Sequence, residues 1–201
     1  AYCQKGRAHL PRIGKVKLKE QREIQGRIVS VTVSKDVNRW FVSFCTEQDI
    51  PEPKIQNGQI VGIDLGLTHF ATLSDGTKVE NPKVLKRYLQ KIAKLQRRLS
   101  KKQKCSQNRQ KARVKLAKVY RKVRNIRQDF LHKLTTSLAR TKQEIVVETL
   151  KVSNMLKNGR LSQSISDASW SEFVRQLEYK TKWYGSTLTQ VDTFYPSSKL
   201  C

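Results

Sequence analysis

Two carboxylates stand where they could do chemistry. Asp64 ends the run Gln59 to Asp64 (QIVGID), and Glu148 ends the run Glu144 to Glu148 (EIVVE). Short apolar runs of this kind read as buried strands. If the two strands are neighbours, both acids emerge at one edge of a sheet. Converging carboxylates suit Mg²⁺, a hard cation that takes oxygen ligands at about 2.0–2.1 Å. Two such ions, about 3.5–4 Å apart, stabilise the attacking and leaving oxygens when a phosphodiester is cut. Such a site usually takes a third carboxylate. Asp167 and Asp192 are the downstream acids that could serve, and neither is well placed. Taken singly, an Asp near a glycine is often only a turn former, and a strand-end Glu is often solvated. Together, on so basic a chain, they point to a nuclease site.

The charge supplies that context. The 201 residues hold 41 Lys plus Arg against 16 Asp plus Glu, a formal net charge of +25. Such a field concentrates polyanions, and nucleic acid is the natural partner. No stretch reads as a membrane helix or an interfacial anchor. The opening AYCQKGRAHL has no apolar core of a signal peptide. Cys3, Cys45, Cys105 and Cys201 are far apart and form no CxxC, which fits a reducing, intracellular setting. His9, His69 and His132 lack ligand spacing, and His69 reads as a strand histidine with a local partner. The polar opening, and the stop at Cys201 after a strand-like run, suggest a chain cut at both ends.

Elements must position the two acids. Residues 1–53 read as β, with Arg27 to Ser34 and Trp40 to Cys45 as a hairpin about Lys35 to Asn38. Trp40 reads as core there. Pro51 to Lys54 mark a linker. Gln59 to Asp64, Thr68 to Leu73 and Lys78 to Glu80 form a three-stranded meander, with Gly66 and Ser74-Asp75-Gly76 at its turns. From Pro82 no Gly or Pro occurs until Gly159. Leu85, Tyr88, Ile92, Leu95 and Leu99 repeat at three and four residues, as do Leu116, Val119, Val123, Ile126 and Phe130. The polar stretch Ser100 to Arg109 separates them, so an antiparallel helical hairpin is predicted, its second helix running on through Leu134 and Leu138. Residues 149–168 read as irregular. Ser169 to Tyr184 reads as a helix, with Trp170, Phe173, Val174, Leu177 and Lys180/Trp183 on one side and Gly185 ending it. Thr187 to Phe194 reads as a last strand and Pro196 to Ser198 as a turn.

Residues 83–142 hold 22 Lys or Arg and one acid, Asp129. Solvated helices usually mix signs, because like charges at i,i+4 cost about 0.2–0.5 kcal/mol per pair. A hairpin that accepts this repulsion throughout implies a polyanion that relieves it. The candidate contacts are Lys91, Lys94, Arg97, Arg98, Lys101, Lys102, Arg113, Lys115, Arg121, Lys122, Arg124 and Arg127.

The motifs also carry a family likeness. GIDLG (62–66) with THFATLSDG (68–76) resembles the first RuvC motif of the TnpB or OrfB proteins of bacterial insertion sequences. RQDFLHKLTTSLAR (127–140) and VVETLK (146–151) resemble the helix and second RuvC motif. SISDASWSEFVRQLEYKTKWYG (164–185) and YPSSKLC (195–201) are similar to the stretch leading to a zinc-binding insertion. HLPRIGKVKL (9–18) and GRIVSVTVSKDVNRWFVSF (26–44) resemble the family's β-barrel wedge domain.

The resemblance implies an α/β fold with an RNase H-like (RuvC) mixed sheet. It implies a partial wedge barrel at 1–53, a RuvC-like domain at 54–195 with the basic hairpin 83–142, and the start of a zinc-binding insertion at 196–201. It implies the central part of an RNA-guided, Mg²⁺-dependent DNA endonuclease of the bacterial or archaeal cytoplasm, related to type V CRISPR effectors. Guide RNA and target DNA would be its partners. Asp64 and Glu148 take the family's catalytic, Mg²⁺-binding positions, and the third acid would follow the zinc module. Cys201 matches that module's first zinc ligand, an incomplete set. The alternative is a nuclease-inactive relative that binds DNA under RNA guidance. A transposase performing strand transfer ranks last.

Overall fold

The computed structural model describes residues 2–4, 6–19, 23–54 and 58–192. The chain divides into two compact units, Ala1–Pro51 and Glu52–Cys201.

The first unit is all β. β1 (Tyr2–Gln4), β2 (Arg7–Leu10) and β3 (Gly14–Lys17) form an antiparallel meander. β4 (Arg27–Asp36) and β5 (Arg39–Glu47) form the predicted hairpin, longer at both ends than its β-branched core suggests. These are two separate sheets, so the described residues close no barrel. Trp40 is not core: it is 67 % exposed, with the Lys35 ammonium 5.2 Å from its ring centre. The cation covers a ring face that burial would have hidden.

The second unit is a mixed α/β layer structure. Its elements are β6 (Gln59–Leu65), β7 (His69–Leu73), β8 (Lys78–Glu80), α1 (Val84–Ser100), α2 (Gln107–Thr141), β9 (Lys142–Glu148), α3 (Val152–Met155), α4 (Ser162–Ala168), α5 (Trp170–Tyr184) and β10 (Thr187–Val191). The sheet runs β10-β9-β6-β7-β8. β6, β9 and β10 are parallel; β7 and β8 add the antiparallel meander. Gly66 lets the β6–β7 turn close, since a Cβ there would come within 3.1 Å of the His69 carbonyl.

One face of the sheet carries the core. Val61, Ile63, Ile145 and Val147 are buried against Leu131 and Leu138 of α2 and Phe173 and Leu177 of α5. A register irregularity between His69 and Ala71 accompanies two consecutive buried residues, Phe70 and Ala71. The bulge lets Phe70 join the core, where its ring packs edge-on against Phe130 and Phe173.

The segment expected to be irregular is instead α3 and α4, and Ile165 and Ala168 of α4 are buried in the same core. Within the seven residues of α4 only Ile165 and Ala168 are apolar, too few to show a helical stripe. Trp183, placed on the apolar side of α5 by spacing, is 65 % exposed. Lys180 takes the buried position instead. Its Nζ donates to the His132 carbonyl and to the hydroxyls of Thr135 and Thr136, each at 2.8 Å. This fastens α5 to α2, and burial pushes the ammonium pKa down.

Glu172, in the first turn of α5, accepts from Arg175 Nε and Nη2, each at 2.7 Å, and from Gln176 Nε2 at 2.9 Å. Arg175 above all holds its carboxyl down, from 4.5 to about 2. A depressed acid contributes stability in full above its unfolded pKa and loses it as pH falls through the folded one. Acid unfolding followed by circular dichroism is therefore expected to lose a contribution between pH 4.5 and about 2. Glu172→Gln removes that dependence; an unchanged acid limb contradicts the assignment.

Candidate active site

Strand alternation sorts β6 into two sets. Val61 and Ile63 point into the core, so Gly62 and Asp64 point the other way. β9 does the same, with Ile145 and Val147 inward and Val146 and Glu148 outward. The parallel ladder pairs Gly62 with Val146 and Ile63 with Val147. One residue further along each strand stand Asp64 and Glu148. They occupy neighbouring strands, about 4.8 Å apart, on the sheet face opposite the helices. Asp64 is exposed and Glu148 half-buried.

The two acids line one open cleft with Gly62, Thr72, Ser74, Val146 and Val191. Thr72 pairs across the strand with Asp64. Ser74 pins the floor: its Oγ accepts the Gly62 N–H at 3.1 Å, and its own N–H donates to the Gly62 carbonyl at 2.9 Å. Sequence reasoning missed both hydroxyls as cleft residues. The hairpin register that puts Thr72 beside Asp64 is the signal that could have found it.

Neither candidate third acid completes the site. Asp192 follows Val191, which pairs with Glu148, but it is not among the described residues lining the cleft. Asp167 is committed elsewhere. Its carboxylate, 8 % exposed, accepts from Arg127 Nη2 at 2.7 Å and from the Leu85 N–H at 2.8 Å. It caps α1, whose own N-cap Lys83 supplies no side-chain bond, and ties α1, α2 and α4 together. Arg127, expected among the nucleic-acid contacts, is engaged in this ion pair, its side chain 23 % exposed. Among the described residues no group of three or more His, Cys, Asp or Glu could hold a metal. His69 Nδ1 lies 3.2 Å from the Glu80 carboxylate across the β7–β8 ladder, without hydrogen-bond geometry. Cys201 and the expected turn at 196–198 lie outside the described residues.

The basic hairpin is α1 and α2, the second helix about 50 Å long. Ile92, Val119 and Val123 are buried along the seam. The other candidates split as a solvent face should: Lys91, Lys94, Arg97, Arg98, Lys101, Lys102, Arg113, Lys115, Lys122 and Arg124 are exposed, and Arg121 is half-buried. No described helix is long and apolar enough to cross a membrane.

Comparison with known proteins identifies relatives of the chain. The family model OrfB_IS605, described as "Probable transposase", matches residues 43–159, and the Cas12f1-like TNB domain model matches 170–201. A Streptomyces pristinaespiralis protein named "Putative RNA-guided DNA endonuclease" is 50 % identical over 86 % of the chain and 43 % of its own length. Escherichia coli InsQ, similarly named, is 37 % identical over 98 % of the chain and 52 % of its own length. A Mycobacterium tuberculosis relative is 33 % identical over 88 % of the chain. The chain thus spans about half the length of the curated relatives it matches. In the cryo-EM structure of the Cas12f1–sgRNA–target DNA complex, one chain aligns over 82 % of this one and 42 % of its own length, with a TM-score of 0.45 and 16 % identity, too loose to carry an argument. The transposase model covers more than half of the residues, and three bacterial relatives are 33–50 % identical over at least 86 % of the chain, so the chain belongs to the OrfB_IS605 family.

Proposed function

We propose that this chain is the central part of an RNA-guided DNA endonuclease. Its second unit would be a RuvC-like, RNase H-type domain, and the whole protein would hold a guide RNA and cut target DNA. The observation that carries the reading is the juxtaposition of Asp64 and Glu148, each one residue beyond the paired Ile63 and Val147, on the face the helices leave open. The family and the names of its relatives support the same activity.

The donor set fits Mg²⁺: two hard carboxylates in an open cleft, with room for water and phosphate, as this ion prefers. When bound there, the metal would supply charge neutralisation at the scissile phosphate and an activated water. Asp64 and Glu148 would hold it. The Ser74 bonds to Gly62 fix the strand that presents Asp64, so little reorganisation remains for the chemical step. Cys201 would be one ligand of a structural zinc site, which takes about four. Base pairing to the guide would read the target, while basic side chains hold the backbone.

The second reading is a nuclease-inactive module that binds DNA under RNA guidance. A cleavage assay separates the two. A full-length protein carrying these residues, loaded with the RNA of its own transposon end, is expected to cut a matching plasmid with Mg²⁺ and to stop with EDTA. Guide-dependent binding without cutting in Mg²⁺ supports the inactive module, and no guide dependence at all defeats both.

A further inference from the structure

The charge of the helical hairpin is not spent evenly along it. At the root, Arg127 is bound to Asp167. Higher up, Lys122 lies 5.7 Å from the Tyr88 ring centre and Gln96 bonds the Tyr120 hydroxyl at 3.0 Å. At the tip the two helices enclose a cleft of about 500 Å³. Leu95 and Ala112 form its apolar floor. Arg98, Lys101, Lys102, Lys111 and Lys115 wall it from both helices and the turn, and Asn108 adds an amide. No carboxylate lines it.

The turn that carries these cations is locked. Arg109 Nη1 donates to the Leu99 and Lys102 carbonyls at 3.1 and 3.0 Å, closing the end of α1. Ser106 caps α2 by accepting the Arg109 N–H at 3.1 Å. Arg109 is therefore structural, and the surrounding cations are held at fixed root positions. Five like charges around one cleft repel, and among the described residues no carboxylate lines it to compensate them. A preorganised cationic cleft binds an anion with little further ordering.

Dimensions narrow the ligand. Packed helix axes lie about 8–10 Å apart, and residues four apart rise about 6 Å along a helix. Cations on both walls of so narrow a groove can flank one row of phosphates. A duplex would touch only the rims. We propose that the cleft between Arg98–Lys102 and Asn108–Lys115 is a seat for the phosphodiester backbone of one nucleic-acid strand, and that it carries most of the hairpin's electrostatic binding. This rests on the reading of the hairpin as a nucleic-acid surface.

The test compares two triple variants of the full chain. One removes cleft cations: Lys101→Gln, Lys102→Gln and Lys111→Gln. The other removes as many exposed cations of the same half of the hairpin that lie outside the cleft: Arg97→Gln, Lys104→Gln and Arg113→Gln. Affinity for uniform-sequence single-stranded RNA, single-stranded DNA and duplex DNA is measured across a salt series. Each phosphate contact on a single strand contributes about 0.7 to the log–log slope. The cleft variant is expected to lower that slope by about 2 on both single strands, and the control by less than about 1. Equal losses in the two variants overturn the cleft assignment. A duplex that loses as much as the single strands overturns the one-strand ligand. If the unaltered chain shows no salt-dependent binding, the hairpin reading itself falls.

Discussion

Asp64→Asn in a full-length protein carrying these residues is expected to lower phosphodiester cleavage by about 10³-fold or more while leaving nucleic-acid binding intact. Charge stabilisation at a metal site is worth several kcal/mol, and each 1.36 kcal/mol is tenfold in rate. Asn keeps the volume and one carbonyl oxygen but removes the anionic ligand. Asp64 is exposed on the outward face of β6, so the substitution disturbs no core contact. Binding should hold or tighten slightly, because a negative charge leaves a surface that faces a polyanion. Undiminished cutting would remove Asp64 from the metal site. A parallel loss of RNA binding would place it in recognition rather than catalysis.

Asp167→Ala is expected to be the most damaging single change to the fold outside the apolar core. Removing one partner of a buried ion pair leaves the other charge uncompensated and typically costs about 3–5 kcal/mol. Arg127 keeps some solvent, at 23 % exposure, so the lower figure applies, about 3 kcal/mol. The first turn of α1 also loses the acceptor of its Leu85 N–H. Denaturant unfolding should show a lower midpoint, and amide exchange should accelerate at the start of α1 first. The pair Asp167→Ala with Arg127→Met should recover part of the loss, because no charge is then left buried. A single-variant cost under about 1 kcal/mol, the size of an exposed pair, contradicts the clamp.

What could be read from sequence followed from periodicity. The β6 run, the β7–β8 meander and the two seams of the hairpin each have one apolar face at a fixed period, and each folds as its pattern says. Asp64 and Glu148 were legible because they end such runs. What stayed hidden depends on contacts between distant residues. Asp167 reads from sequence as an ill-placed candidate third acid, and Arg127 as a phosphate contact, because nothing local shows that 40 residues apart they meet. Lys180 sits at a position where the helical stripe calls for an apolar residue, and only the carbonyl and hydroxyls of α2 make it tolerable. α4 escaped notice because Ile165 and Ala168 alone mark its buried side. Trp40 was misplaced by its apolar bulk, which a solvent-facing cation covers in part.

Asp64 and Glu148, as proposed, would form one divalent-cation site. The most direct measurement is paramagnetic broadening of the chain's amide resonances by Mn²⁺, a hard divalent ion of the same oxygen preference as Mg²⁺. Broadening is expected to centre on Gly62–Gly66 and Val146–Thr149 and to reach the adjacent cleft residues Thr72, Ser74 and Val191, to be competed by Mg²⁺, and to be lost in Asp64→Asn. Broadening centred elsewhere, or persisting at these strands in Asp64→Asn, would contradict the site.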